Sequence, residues 1–142
     1  MTVRAFTAAD EVQVVDLWQR CGLTRPWNDP RKDIQRKLTT QPELFLVLEQ
    51  DGRVVGTAMG GYDGHRGWVN YLAVAPELRN RGFGRMLMTT LERMLAARGC
   101  PKLNLQVRAG NSAAIGFYSE LGYAQDDVIS FGKRLIEDGD GA

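Results

Sequence analysis

Two glycines one residue apart, in Arg79-Asn80-Arg81-Gly82-Phe83-Gly84, separate an apolar β-prone run, Trp68 to Val74, from a helical pattern. Leu87, Leu91, Met94 and Leu95 trace one face of that helix, Gly99 ends it, and Lys102 to Val107 reads as the next strand. Strand, loop, helix and strand in this order form a crossover unit, which places the chain in the α/β class.

The loop itself has a chemistry. Gly82 and Gly84 remove side chains where a tight turn brings backbone N–H groups close to a ligand. The helix start adds its dipole and unsatisfied N–H groups, and Arg79, Arg81 and Arg85 add positive charge. A pyrophosphate suits this arrangement; a plain connection with solvated arginines suits the same residues. No Gly-Lys-Ser/Thr follows, and the three-glycine dinucleotide fingerprint is absent, which argues against a nucleoside triphosphatase.

Around this unit the remaining elements follow from period and punctuation. Thr2 to Phe6 is extended, Thr7 with Asp10 starts a first helix, and Val14, Leu17, Trp18 and Cys21 share its inner face before Gly22. Asn28-Asp29-Pro30 starts a second helix carrying Ile34 and Leu38. Leu44 to Gln50 and Arg53 to Gly61 flank Asp51-Gly52, a pair suited to a two-residue hairpin. The glycine-rich turn Gly60 to Gly67 leads to the strand that ends at Pro76. Asn111 or Ser112 caps a fourth helix with Ala114, Phe117, Tyr118 and Leu121 on one face, and Gly122 closes it. Runs at Gln125 to Ile129 and Ser130 to Arg134 are expected to complete the sheet, and the acidic tail from Glu137 to Ala142 is expected to fray.

Composition sets the boundaries. A chain of 142 residues with 44% hydrophobic and 25% charged residues is expected to be one folded domain. No apolar run approaches the roughly 20 residues of a membrane span, and the first dozen residues lack a signal-peptide core, so a cytoplasmic protein is expected. Cys21 and Cys100 lack metal or redox spacing and are expected to be reduced and buried; no metal site is expected. With 18 Lys+Arg against 17 Asp+Glu, any anion site must be local, and nucleic-acid binding through Arg79, Arg81 and Arg85 is the poorer reading.

Arg79, Gly82 and Gly84 match the acetyl-CoA signature Gln/Arg-x-x-Gly-x-Gly/Ala, and at this point the chain resembles the GNAT superfamily of N-acetyltransferases. Tyr71-Leu72-Ala73-Val74-Ala75-Pro76 looks like the strand before that signature, and Asn111 with Tyr118 matches the later Asn-plus-seven-Tyr arrangement. Arg25 to Pro30, the Gly60 to Gly67 turn and Gly132 to Asp138 are similar to a bacterial subgroup labelled YpeA-like, a name that gives no substrate. The resemblance implies a mixed, mostly antiparallel sheet of about six to seven strands flanked by four helices. It implies acetyl-CoA as acyl donor, held by Arg79, Asn80, Arg81, Gly82, Phe83, Gly84 and Arg85, with pantetheine along a splayed edge at Leu72, Ala73 and Val74 and against Asn111.

Acyl transfer needs a neutral amine, oxyanion stabilisation and a proton for the departing thiolate. The resemblance gives Tyr118 the role of general acid; without it, Tyr118 reads as a core tyrosine. An N–H near Leu72 would meet the oxyanion. Gln106 stands where the ribosomal-protein acetyltransferases carry glutamate, and Trp68 falls near the carboxylate position of the histone-acetylating branch, so neither usual base is present. Reference pKa values make a neutral lysine cost about 4–5 kcal/mol at pH 7 and a neutral α-amine about 1 kcal/mol, so a low-pKa amine is the easier acceptor.

His65 and Asp63 offer a base or water relay, or simply stabilise their turn. Trp27, Asn28 and Asp29 are candidates for one wall of the acceptor cleft, with Asn28-Asp29 also expected to cap the second helix. The expected function is transfer of acetyl to a primary amine of a small molecule, peptide or protein by direct attack in a ternary complex. An acyl-CoA-binding sensor or interaction module with little or no catalysis is the alternative. The expected partner is an amine acceptor, without nucleic acid or membrane, for a monomer or homodimer.

Overall fold

The computed structural model describes residues 1–139. In chain order it contains β1 (Thr2–Ala5), α1 (Glu11–Arg20), α2 (Pro30–Leu38), β2 (Phe45–Gln50), β3 (Arg53–Tyr62), β4 (Gly67–Val74), α3 (Phe83–Ala97), β5 (Leu103–Asn104) and α4 (Ser112–Glu120). The local signals act as their chemistry demands. Asp29 accepts from the Arg31 N–H at 2.9 Å to cap α2, with Pro30 in its first turn. Asp51 and Gly52 take φ of 52° and 79°, the left-handed pair that matches a hairpin to the strand twist.

The sheet runs β1-β2-β3-β4-β5, antiparallel except for the β4–β5 pair, which the α3 crossover makes parallel. The fold is therefore α/β with a mixed sheet and, among the described residues, four helices. Val14, Leu17 and Trp18 of α1 and Leu87, Leu91 and Leu95 of α3 are buried with Phe45, Val47 and Leu48 of β2 in the core. Trp18 is fully buried because its indole N–H has a partner: it donates to Thr57 Oγ1 at 2.9 Å. Among the described residues no helix is long and apolar enough to cross a membrane.

Several expectations are corrected. The sheet has five strands among the described residues, not six to seven: Gln125 to Ile129 and Ser130 to Arg134 form no ladder. β5 pairs over two residues only, and side chains hold the later segment beside it, Lys102 on Asp126 at 2.9 Å and Gln106 on Ser130 at 2.6 Å. β-prone residues without an edge to pair with stay irregular, and Phe131 is 93% exposed. The two free cysteines are half-buried, not buried. α2 carries Ile34 and Leu38 as expected, Ile34 in the core and Leu38 exposed at the helix end.

The tail departs from fraying at Asp138, whose side chain is fully buried. It pairs with Arg36 and with Arg134 at 2.8 Å, and it accepts from the Asp29 N–H at 2.8 Å. Residues 140–142 of the expected frayed segment lie outside the described residues.

Candidate active site

A bulge in β4 opens the site. Thr57 pairs with Ala73 and Met59 with Asn70, so one residue of β3, Ala58, faces two of β4, Tyr71 and Leu72. Tyr71 takes a left-handed φ of 52°, a strained value for an aromatic residue. The surroundings hold it there: its ring stacks on Trp18 at 3.7 Å, its carbonyl accepts from Thr57 Oγ1 at 2.7 Å, and its hydroxyl donates to Asp33 Oδ2 at 2.7 Å. Burial first, then the Asp33 carboxylate, push the Tyr71 hydroxyl well above an ordinary tyrosine.

β4 and β5 part early. Their parallel pairing covers Gly67–Leu103 and Trp68–Asn104 and then stops, so β4 from Val69 onward has no ladder partner on that side. The resulting cleft measures about 920 Å³. Tyr71 and Leu72 line one wall, Gln106 and Arg108 another, and Asn111 with Tyr118 of α4 a third. From the α1–α2 side come Trp27 and Asn28. The structure thus brings together Trp27, Asn28, Leu72, Gln106, Asn111 and Tyr118 from four separate stretches of sequence.

Tyr118 is largely buried against Phe117 and Tyr123, with ring centroids 5.0 Å and 5.9 Å away in edge-on contacts. Its hydroxyl has no hydrogen-bond partner among the described residues, and burial pushes it up to about 12. It is therefore protonated near neutral pH, on a residue that lines the cleft. Asn111 uses Oδ1 to cap α4, accepting from the Ala114 N–H at 3.1 Å, and leaves its amide nitrogen for another partner.

The glycine loop lies at the mouth of α3. Gly82 precedes the helix with φ of 85°, and Asn80 is left-handed as well at 64°. Gly84 lacks a side chain for a packing reason: a Cβ there would sit 3.0 Å from Phe117 Cζ. Arg79, Arg81 and Arg85 are exposed and have no carboxylate partner among the described residues. Ala73 and Val74 continue the open strand toward this loop.

The sequence profile of the acetyltransferase (GNAT) family matches residues 11–123. An acetyltransferase of Yersinia enterocolitica is 55% identical over 138 residues, covering 97% of this chain and 98% of its own. The chain belongs to the GNAT acetyltransferase family. Among solved structures, the ribosomal-protein-S18-alanine N-acetyltransferase of Escherichia coli superposes with a TM-score of 0.70 at 28% identity, over 85% of this chain and 76% of that one. The aminoglycoside N-acetyltransferase AAC(6')-Iy, solved with CoA, shares the fold with a TM-score of 0.73 at 17% identity, over 94% of this chain and 100% of that one. The protein is an acetyltransferase enzyme, and GNAT proteins use acetyl-CoA.

Besides the glycine loop, Asp29, Asp63, His65 and Trp68 of this GNAT chain lie outside the cleft lining. Asp63 and His65 sit in the β3–β4 turn, where Asp63 Oδ1 accepts from the His65 and Arg66 N–H groups at 2.8 and 2.7 Å. Those turn hydrogen bonds hold the Asp63 carboxyl below the usual range. Asp29 is buried as the α2 cap. Trp68 faces the turn end of the sheet, paired with Asn104. Among the described residues no group of three or more His, Cys, Asp and Glu is arranged for a metal.

Sequence reading missed Asp33 and the side chain of Tyr71. Asp33 Oδ2 accepts from Tyr71 and from Asn28 Nδ2, and Oδ1 pairs with Arg36 at 3.1 Å. Asp33 reads locally as a first-turn helix acid, and a positive φ at Tyr71 has no sequence signal at all.

Proposed function

We propose that this enzyme transfers the acetyl group of acetyl-CoA to a primary amine of a small molecule, peptide or protein, by direct attack in a ternary complex. The observation that carries it is Tyr118: a protonated hydroxyl without a protein partner, on the wall of a cleft that opens where β4 loses its neighbour.

Acetyl-CoA supplies an activated thioester. The α3 N-terminus, Gly82 and the unpaired Arg79, Arg81 and Arg85 hold its pyrophosphate, with Asn80, Phe83 and Gly84 shaping the loop. The open edge at Leu72, Ala73 and Val74 takes the pantetheine amides as an added strand would, and the free amide nitrogen of Asn111 donates to the same arm. An N–H of the bulged strand near Leu72 meets the oxyanion.

Tyr118 donates its hydrogen bond to the departing sulfur. At about 12 its acidity lies far below that of a thiol, roughly 8.5, so the tyrosine relays a proton from the amine and does not release its own for long. No carboxylate is available as base: Asp33, the only one lining the cleft among the described residues, already accepts from Tyr71, Asn28 and Arg36. Gln106, turned to Ser130, contributes a polar wall. The acceptor therefore enters as a neutral amine, which favours an α-amine over a lysine side chain by about 3–4 kcal/mol at pH 7.

The test is thiol release from acetyl-CoA across amines, peptides and protein N-termini, with calorimetric binding of acetyl-CoA alongside. Turnover on at least one low-pKa amine is expected. Tight binding without release on any acceptor would instead favour an acyl-CoA-binding module.

A further inference from the structure

The cleft has a charge imbalance that thioester chemistry does not use. Arg25, Arg36, Lys37 and Arg108 line it against a single carboxylate, Asp33. Asp33 is consumed by Tyr71, Asn28 and Arg36, and Arg36 divides its guanidinium between Asp33 and the buried Asp138. Subtracting these internally matched groups leaves Arg25, Lys37 and Arg108, none with a carboxylate within 4.0 Å among the described residues.

Two of the three are placed rather than loose. Arg25 Nη1 donates to the Gly22 and Thr24 carbonyls, both at 2.8 Å, which fixes the guanidinium in the loop after α1 and leaves its other nitrogens free among the described residues. Lys37 is half-buried, and burial lowers its pKa, with Glu43 opposing and Arg98 adding to the shift. A half-buried ammonium whose nearest influence from a carboxylate, Glu43, acts from beyond 4.0 Å carries a desolvation cost that a bound anion offsets. Arg79, Arg81 and Arg85, assigned above to the pyrophosphate, are not among the residues lining this cleft.

We infer that the acceptor carries an anionic group, a carboxylate or a phosphate, alongside its amine, and that Arg25, Lys37 and Arg108 receive it. This rests on the acetyltransferase reading of the cleft and names the acceptor class. A polycation such as an aminoglycoside meets like charge here, and an acidic amino acid or a peptide with an acidic residue near its N-terminus meets opposite charge.

Matched acceptor pairs test it: an acidic dipeptide against its side-chain amide, phosphoethanolamine against ethanolamine, and kanamycin as the polycation. The anionic member of at least one pair is expected to show kcat/KM about tenfold higher, a difference of about 1.4 kcal/mol. The gap should shrink toward about 0.5 M salt as screening grows. The dipeptide and phosphate pairs separate carboxylate from phosphate recognition. Lys37→Gln and Arg25→Gln should each raise KM for the anionic acceptor several-fold while KM for acetyl-CoA, read in the same titrations, stays put; a rise confined to acetyl-CoA would give these cations to the donor and overturn the inference. Equal or lower kcat/KM for every anionic member, or a preference for kanamycin, would overturn it too while leaving the transferase reading intact. If no acceptor turns over, calorimetric binding of the same pairs to the CoA-loaded protein still decides: tighter binding of the anionic member supports the inference, equal binding refutes it.

Discussion

The hydroxyl of Tyr71 donates to Oδ2 of Asp33 at 2.7 Å, tying the bulge of β4 to the first turn of α2 across 38 residues of sequence. A hydrogen bond to a charged acceptor contributes about 1.5–3 kcal/mol, and Asn28 remains to serve Asp33 when the hydroxyl is removed. Tyr71→Phe is therefore expected to cost about 1–2 kcal/mol in urea unfolding, the low part of that range. On the proposed function it should raise KM for the acceptor more than KM for acetyl-CoA, because the bond braces the cleft wall at Tyr71 and Asn28.

Tyr118 separates catalysis from stability. Its hydroxyl has no protein partner to lose, so Tyr118→Phe should shift the thermal midpoint by no more than about 2 °C. The same variant should lower kcat about 100-fold or more if the hydroxyl serves the departing sulfur. Wild-type kcat in the variant would remove Tyr118 from the chemistry.

The raised pKa of Tyr118, up to about 12, has a signed consequence for the pH profile. The donor form persists below that value, so the rate should climb as the acceptor amine deprotonates and show no descending limb until about pH 11. A limb falling between about pH 8 and 9, persisting in Tyr118→Phe and traceable to the enzyme, would point to a different acid.

Two glycines distinguish packing from cofactor contact. A Cβ at Gly60 would sit 2.3 Å from Leu91 Cδ1 in the core, so Gly60→Ala should cost about 1–3 kcal/mol in stability with little change in acetyl-CoA affinity per folded molecule. Gly82 has open space but φ of 85°, so Gly82→Ala should cost about 1–2 kcal/mol through backbone strain and also weaken acetyl-CoA binding. Calorimetric titration beside urea unfolding checks both.

Acid should loosen the molecule at two carboxylates held below their ordinary range, Asp10 by its hydrogen bond from Arg4 and Asp138 by its hydrogen bond from Arg36. A lowered folded pKa gives stability that is complete above the unfolded value of about 3.9 and is lost as pH falls through the folded value. The thermal midpoint should thus change little from these two groups between about pH 7 and 5, then drop below about pH 4. Asp138→Asn should lower the midpoint at neutral pH, narrow the loss on acidification, and expose the chain near Arg134 to trypsin. An unchanged acid profile would deny Asp138 its share.

Local chemistry made much of this fold legible in the residues themselves. Asp29-Pro30 starts α2, Asp51-Gly52 turns the hairpin, Gly99 stops α3 and Asn111 caps α4, because each decision involves atoms a few residues apart. The anion-loop pattern at Arg79 to Gly84 belongs to the same class, a short segment whose φ values and charges are set by its own composition. Pairings between distant segments were decided only in the folded chain. Gln125 to Arg134 has strand-forming residues yet no ladder, since a strand exists only if an edge is presented to it, and β5 presents two residues. The left-handed Tyr71 depends on Trp18, Thr57 and Asp33 closing around it, and the ordered Asp138 depends on Arg36 and the Asp29 N–H, 109 residues earlier than itself. Charge in the cleft is of that second kind: the sequence near neutrality overall conceals it, because only folding matches some charges internally and leaves Arg25, Lys37 and Arg108 lining one cleft.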